Sequence, residues 1–358
     1  MNERQEEEPT FQQSEEKVIA AAAQLRSANP QQQQYYTIQN DFTRAIYDSG
    51  QWFNEHPECC LRDANGSLVN HTEPTQKFPI CTGGPNKDTC HIYGFDTQCG
   101  RDGWVRYAVD TVKKGNLDGV FIDGFQGCSP DGGCGRTVGT ASPATAKAWL
   151  AGLGEALWEL HRQLAALGNK TIICNGTGEM WACGGKKPCY CDAANKERFY
   201  PNEHDLEQVV GAAGDDNGRN PYWGIIHVPH IDDDGRTNFN KSIAGFLATA
   251  GGAGTPFGYG LGFEYDCESG GWLRDFPELH KPLGPPAGPP KVTDVQNLGH
   301  NQKSAVFTRL YKSGVRAYYN ATAHPRDGAS CVAWADGTVT DANGGCKQME
   351  RHLARHDV

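Results

Sequence analysis

The chain has 358 residues, enough for one large α/β domain with a small accessory one. It carries 43 acidic against 33 basic residues, and no basic stripe is interleaved with aromatics, which argues against a nucleic-acid partner. No apolar run approaches bilayer-crossing length, so no membrane span is expected.

Fourteen cysteines are too many for an ordinary cytosolic enzyme. Asn-x-Ser/Thr occurs at Asn65, Asn70, Asn169, Asn175, Asn240 and Asn320. Together these features point to an oxidising, secretory setting, eukaryotic by the sequons. The opening residues Met1–Glu8 are acidic and lack the apolar centre of a signal peptide, so a leader is expected to be missing from this sequence.

Residues 1–13 are polar and expected to be disordered. Ser14 caps a helix over 14–28, with Glu15 and Glu16 suiting its positive end and Val18, Ile19, Ala22 and Leu25 as its buried face. Tyr35–Gln39 reads as a strand with Asn40 at its exit. Residues 54–90 read as a long irregular segment whose cysteines, Cys59, Cys60, Cys81 and Cys90, suggest pinning. His91–Phe95 is the next expected strand, with Asp96 at its end. Asp102 is expected to cap a helix that buries Trp104, Val105, Ala108, Val109 and Val112 and stops at Gly115.

Asp118–Asp123 follows, an apolar run with a carboxylate at each end, as in a parallel strand buried on both faces. Asp118 begins the strand and is expected to be a capping or turn carboxylate. Asp123 ends it, at the edge where α/β barrels carry their chemistry. Beyond a glycine-rich loop, Ser142-Pro143 starts the longest helix and Gly168 closes it. Strands are expected at Thr171–Cys174 with Asn175 at the exit, at Ala193–Phe199 with Glu197 near its end, and at Tyr222–Val228 with His230 beyond. A helix capped by Asn202 and another capped by Asn238 lie between them and after them, and a glycine-rich strand at Gly258–Phe263 ends at Glu264.

The alternation of strands and helices predicts a parallel sheet with helical crossovers. The Pro/Gly-rich stretch 281–291 is a linker, and beyond it a two-residue period predicts antiparallel strands. The expected organisation is therefore a disordered segment at 1–13, a barrel at 14–280, the linker, a small β domain at 292–346 and a tail at 347–358. The expected fold class is α/β, a (β/α)8-type TIM barrel with a small C-terminal antiparallel β domain. No strand is visible ahead of the first helix, so either seven strands are recognisable or the first precedes this sequence.

Four pieces of the chain resemble the glycoside hydrolase barrels related to the endo-α-1,4-polygalactosaminidases and, more distantly, the α-galactosidase-like barrels. They are the strand Asp118–Gly124, the segment His56-Pro57-Glu58 with Leu61–Gly66, Glu197-Arg198-Phe199 followed by a helix, and Leu283-Gly284-Pro285 with Gly314–Asn320. The resemblance spans residues 15–340 in short pieces and implies a secreted glycosidase acting on a carbohydrate substrate. Such hydrolysis needs two carboxyl groups, one to protonate the leaving oxygen and one to act as nucleophile or to activate water. Asp123 closes the fourth strand of a full barrel and Glu197 the sixth. In the α-galactosidase-like enzymes those strands carry the nucleophile and the acid/base.

The expected catalytic pair is therefore Asp123, as nucleophile or base, and Glu197, as general acid. The alternative for Glu197 is a surface glutamate paired to Arg198 or Lys196. Asn40, Asp96, Asn175, His230 and Glu264 are candidates for binding sugar hydroxyls. Tyr36, Trp181, Trp223 and Tyr259 are candidates for stacking on a sugar ring, each with core or loop packing as its alternative. The spacing of Cys183, Cys189 and Cys191 fits no zinc pattern, and Asp232–Asp234 reads as a solvated acidic loop, so no metal and no cofactor is expected. These cysteines, with Cys128 and Cys134, are expected to form disulfides. The rival reading is a glycan-binding barrel without activity.

Overall fold

The computed structural model describes residues 14–31, 33–39, 43, 48–72, 89–123, 128–129, 133–134, 142–168, 170–175, 191–196, 225–228, 235–249, 258–261, 276–299, 302–322 and 328–356. The chain divides into two compact units, Met1–Asp192 and Ala193–Val358.

In the first unit, helix α1 covers Ser14–Ala28 and strand β1 Tyr35–Gln39. Ala22 is buried as the spacing predicts, but Leu25 is exposed. Glu15 does more than complement its own helix. Its buried carboxylate accepts the Tyr36 hydroxyl at 3.0 Å, the Asp48 N–H at 2.8 Å and the Ser49 N–H at 3.3 Å. The last two belong to the opening turn of α2 (Asp48–Glu55), so Glu15 satisfies N–H groups a helix start leaves open.

Strands β2 (Asn70–Thr72) and β3 (Thr89–His91) form a small antiparallel pair. The strand expected at His91–Phe95 is not part of the parallel sheet. Leu61 donates its N–H to the Ile92 carbonyl, Ile92 to that of Val69, and Cys60 bridges Tyr93 in antiparallel sense. The Cys59–Cys99 disulfide pins this segment to helix α3 (Gln98–Gly115). That helix is capped by Thr97, whose side chain accepts the Gly100 N–H, and not by Asp102, which lies within it. Asn116 ends it in the left-handed region (φ 47°).

Strand β4 is Gly119–Asp123. A side chain at Gly119 would overlap the Thr171 carbonyl, which explains the glycine that follows Asp118. Short strands β5 (Cys128–Ser129) and β6 (Gly133–Cys134) pair antiparallel. Helix α4 (Pro143–Ala166) starts as predicted, with the Ser142 side chain accepting the Thr145 N–H and proline in its first turn. Strand β7 is Thr171–Asn175. Strands β1, β4 and β7 lie side by side, all parallel. Their core joins Tyr36, Ile38, Val120, Ile122 and Ile172 to Trp104, Val112, Trp149, Leu160 and Leu164 of the two long helices.

In the second unit, β8 (Ala193–Lys196), β9 (Ile225–Val228) and β10 (Gly258–Leu261) pair parallel in that order. Helix α5 spans Gly235–Thr249, so Asn238 sits inside it rather than at its cap. Phe239, Ile243, Phe246 and Leu247 are buried, as their spacing predicts. The C-terminal antiparallel sheet has five strands, β11 (Lys291–Gly299), β12 (Gln302–Leu310), β13 (Arg316–Ala321), β14 (Ala329–Ala333) and β15 (Val339–Ala342), each paired with the next. Helix α5 packs on one face against Phe307, Ala317, Tyr319 and Val332. The other face packs Val306, Tyr318 and Cys331 against helix α6 (Gly345–His356), which lies in the segment read as a tail. With both faces covered, β14 is buried along nearly its whole length instead of alternating. The Cys331–Cys346 disulfide joins β14 to α6.

Candidate active site

The register of the parallel sheet builds the candidate site. Gln39 pairs with Asp123 across β1 and β4, and Ile122 pairs with Cys174 across β4 and β7, so Asn175 is next in line. Gln39, Asp123 and Asn175 therefore form one row at the carboxyl edge of three adjacent strands. Neighbours in such a row project to the same face of a sheet. The Gln39 Nε2 donates to Asp123 Oδ2 at 2.9 Å and the Asn175 Nδ2 donates to Asp123 Oδ1 at 2.8 Å. Gln39 and Asn175 are buried, 4% and 2% exposed, while Asp123 is half-buried. The Trp104 indole N–H donates to the Gln39 carbonyl at 2.8 Å, tying the end of β1 to α3. The Cys174–Cys191 disulfide anchors the residue before Asn175.

At the opposite end of β4, Asp118 accepts the Gln34 N–H at 2.9 Å and pairs with Arg26 at 3.1 Å, the turn carboxylate the sequence leads one to expect. Asp96 lies in the turn before α3, outside the parallel sheet. The residue is exposed as a whole, yet partial burial of its carboxyl raises its pKa, against its own backbone hydrogen bond and the Arg101 charge. Tyr36 is 1% exposed and bonded to Glu15, so it is core and not a stacking platform. Glu197, Asn40, His230 and Glu264 lie outside the described residues, as do Trp181, Trp223 and the side chain of Tyr259.

The residue that sequence reading passes over is Gln39. As the last polar residue of a strand it carries no motif; only the register with β4 gives it a partner.

Among the described residues, Cys331, Asp341 and Cys346 bring three ligand-type atoms within 4.8 Å. The two sulfurs are joined in a disulfide, and Asp341 Oδ1 accepts the Cys346 N–H at 2.7 Å. Cys191, weighed above with Cys183 and Cys189, is bonded to Cys174 and offers no thiolate. Cys183, Cys189 and the side chains of Cys128 and Cys134 lie outside the described residues.

A carboxylate held at the carboxyl edge of a parallel α/β sheet is a site suited to hydrolytic chemistry. The family described as hypothetical glycosyl hydrolase family 15 matches residues 27–315, and the chain belongs to that family. Membership places it among the glycosidases. No curated protein matches the chain. Among solved structures, it is similar to Aspergillus fumigatus Ega3 in complex with galactosamine, at 12% identity and a TM-score of 0.39, over 68% of this chain and 79% of that one. The maltogenic α-amylase AmyB of Thermotoga neapolitana matches at 10% identity and a TM-score of 0.46, over 88% and 70%. The α-amylase of Geobacillus thermoleovorans, complexed with acarbose, matches at 11% and 0.43, over 92% and 79%. Likenesses this distant assign neither activity nor substrate to the chain.

Proposed function

We propose that the protein hydrolyses O-glycosidic bonds of a poly- or oligosaccharide in a (β/α)8-type barrel by a two-carboxylate mechanism. The observation that carries the reading is the Asp123 carboxylate, gripped by two amides at the carboxyl edge of the sheet in a chain of glycosidase family. Asp123 attacks the anomeric carbon or takes a proton from the attacking water. Glu197, which follows β8 in the chain, donates a proton to the leaving oxygen as the glycosidic bond breaks, and in a retaining reaction then accepts one from water. The products are a free reducing end and the released alcohol-bearing sugar.

Release of reducing ends from a panel of polysaccharides tests this, comparing the wild-type chain with Asp123→Asn and Glu197→Gln after confirming that all three fold. Cleavage by the wild type that falls to a small residual rate in both variants is the expected result. Binding of a panel member without release, unchanged in Asp123→Asn, would replace this reading with that of an inactive glycan-binding barrel.

Secretion is part of the proposal and is supported by the Cys59–Cys99, Cys174–Cys191 and Cys331–Cys346 disulfides. Of the sequon asparagines whose side chains are described, Asn65 is exposed in a turn. Asn175 and Asn240 are buried with their amide nitrogens donated, and Asn320 donates to Gln348. Peptide mapping of protein secreted from a eukaryotic host is expected to find glycan on Asn65 and none on Asn175 or Asn240.

A further inference from the structure

Gln39 combines three properties that a strand-end glutamine has no need to combine. It is 4% exposed, its side chain donates to a half-buried carboxylate, and its own carbonyl is fixed by the Trp104 indole. Burying a primary amide is unfavourable unless its polar atoms are matched, and an apolar residue would fill the same space without that cost. What the amide supplies is a donor aimed at one oxygen of Asp123, while Asn175 supplies a donor to the other.

The two donors come from strands on opposite sides of β4, so the carboxylate is held from both flanks. Rotation about its terminal bond would break both hydrogen bonds together. Carbon-attached amide nitrogens only donate, so each carboxyl oxygen is an acceptor toward the protein. That arrangement suits a group that reacts as an anion, a nucleophile or a base. Asn175, at 2% exposure, shares this task.

We infer that Gln39 is a positioning residue of the reaction. With Asn175 it clamps the Asp123 carboxylate in one orientation as an acceptor, and so assigns Asp123 the nucleophile-or-base role rather than that of proton donor. The inference rests on the reading of Asp123 given under the proposed function.

The test uses the polysaccharide that the wild-type chain cleaves, with Gln39→Leu and the closer-shaped Gln39→Met in case the first does not fold. Both remove the donor and keep an apolar filling. The expected result is a fall in kcat of about 10- to 100-fold with KM within about threefold, since a displaced reacting group costs rate and not ground-state binding. In the Asp123→Asn background the same substitution is expected to cause no further loss, because residues acting as a unit are non-additive. A merely structural role would instead lower both backgrounds by the same factor. A folded Gln39→Met enzyme with kcat within about threefold of wild type, or a loss confined to KM, would overturn the inference while leaving Asp123 in place. Full activity in Asp123→Asn, or no cleavage of any panel member by the wild type, would overturn both readings together.

Discussion

The two ends of β4 carry the same residue in opposite settings. At the amino end, Asp118 is bound by the guanidinium of Arg26 and by the backbone N–H of Gln34. At the carboxyl end, Asp123 is bound by two neutral side-chain amides. A cation beside a carboxylate neutralises it and ties α1 to the start of the strand. Amides orient a carboxylate without themselves cancelling its charge. Four residues of apolar strand separate a structural carboxylate from the one proposed to react.

The sharpest way to break this comparison is to neutralise each end in turn. Asp123→Asn is expected to lower the rate of saccharide cleavage on the order of a thousandfold or more in a chain that still folds. Glycosidase assay and denaturant unfolding on one preparation check both halves. Glu15, a third carboxylate of this unit, sharpens the contrast from the structural side. Glu15→Ala strips the acceptor from two backbone N–H groups and the Tyr36 hydroxyl, and is expected to cost about 2–4 kcal/mol in denaturant unfolding. Asp118→Ala should cost less, about 1–2 kcal/mol, because the ion pair is partly solvated, and should leave the rate within about twofold. A large rate loss in Asp118→Ala with stability intact would erase the distinction between the two ends.

The smallest expected effect concerns Cys60, the one free cysteine among the described residues. Burial pushes its thiol from an ordinary 9.0 up to about 12, with Glu58 adding to the rise and Arg62 opposing it. The thiol is neutral in the fold while an unfolded thiol ionises above its ordinary value. Its contribution to stability is thus complete below about 9 and is lost as pH rises toward about 12. Mass-spectrometric mapping after iodoacetamide treatment at pH 8 is expected to find Cys60 unmodified in native protein and modified after denaturation.

Much of the secondary structure was legible in the residues, because apolar runs and caps act locally. Tyr35–Gln39 and Gly119–Asp123 announce themselves as short apolar runs, and Ser142-Pro143 announces α4. The misplaced cap at Asp102 shows the limit. Thr97 and Asp102 are both acceptable caps, and the Cys59–Cys99 bridge and the close pairing of Gly94 with Cys59 bring the chain into α3 at the earlier one. The segment Ile92–Phe95 is as apolar as a sheet strand, but its partners, Leu61 and Val69, lie more than twenty residues away in a stretch that reads as irregular. The site was half legible. Asp123 stands out because a carboxylate ending an apolar strand is conspicuous; Gln39 does not, because its meaning depends on which strand lies beside it. Cysteine pairing has the same character, since Cys174 was read as strand and its partner Cys191 as loop.

Two of the bridges have a practical side. The Cys59–Cys99 bond spans 40 positions and the Cys174–Cys191 bond spans 17. A protease that cuts once between either pair severs the backbone, yet both fragments stay covalently attached. On a non-reducing gel such a nicked chain migrates as a single species, and its intact mass rises by only one water. Reduction before electrophoresis separates the fragments, so every preparation used for activity measurements is best run both ways.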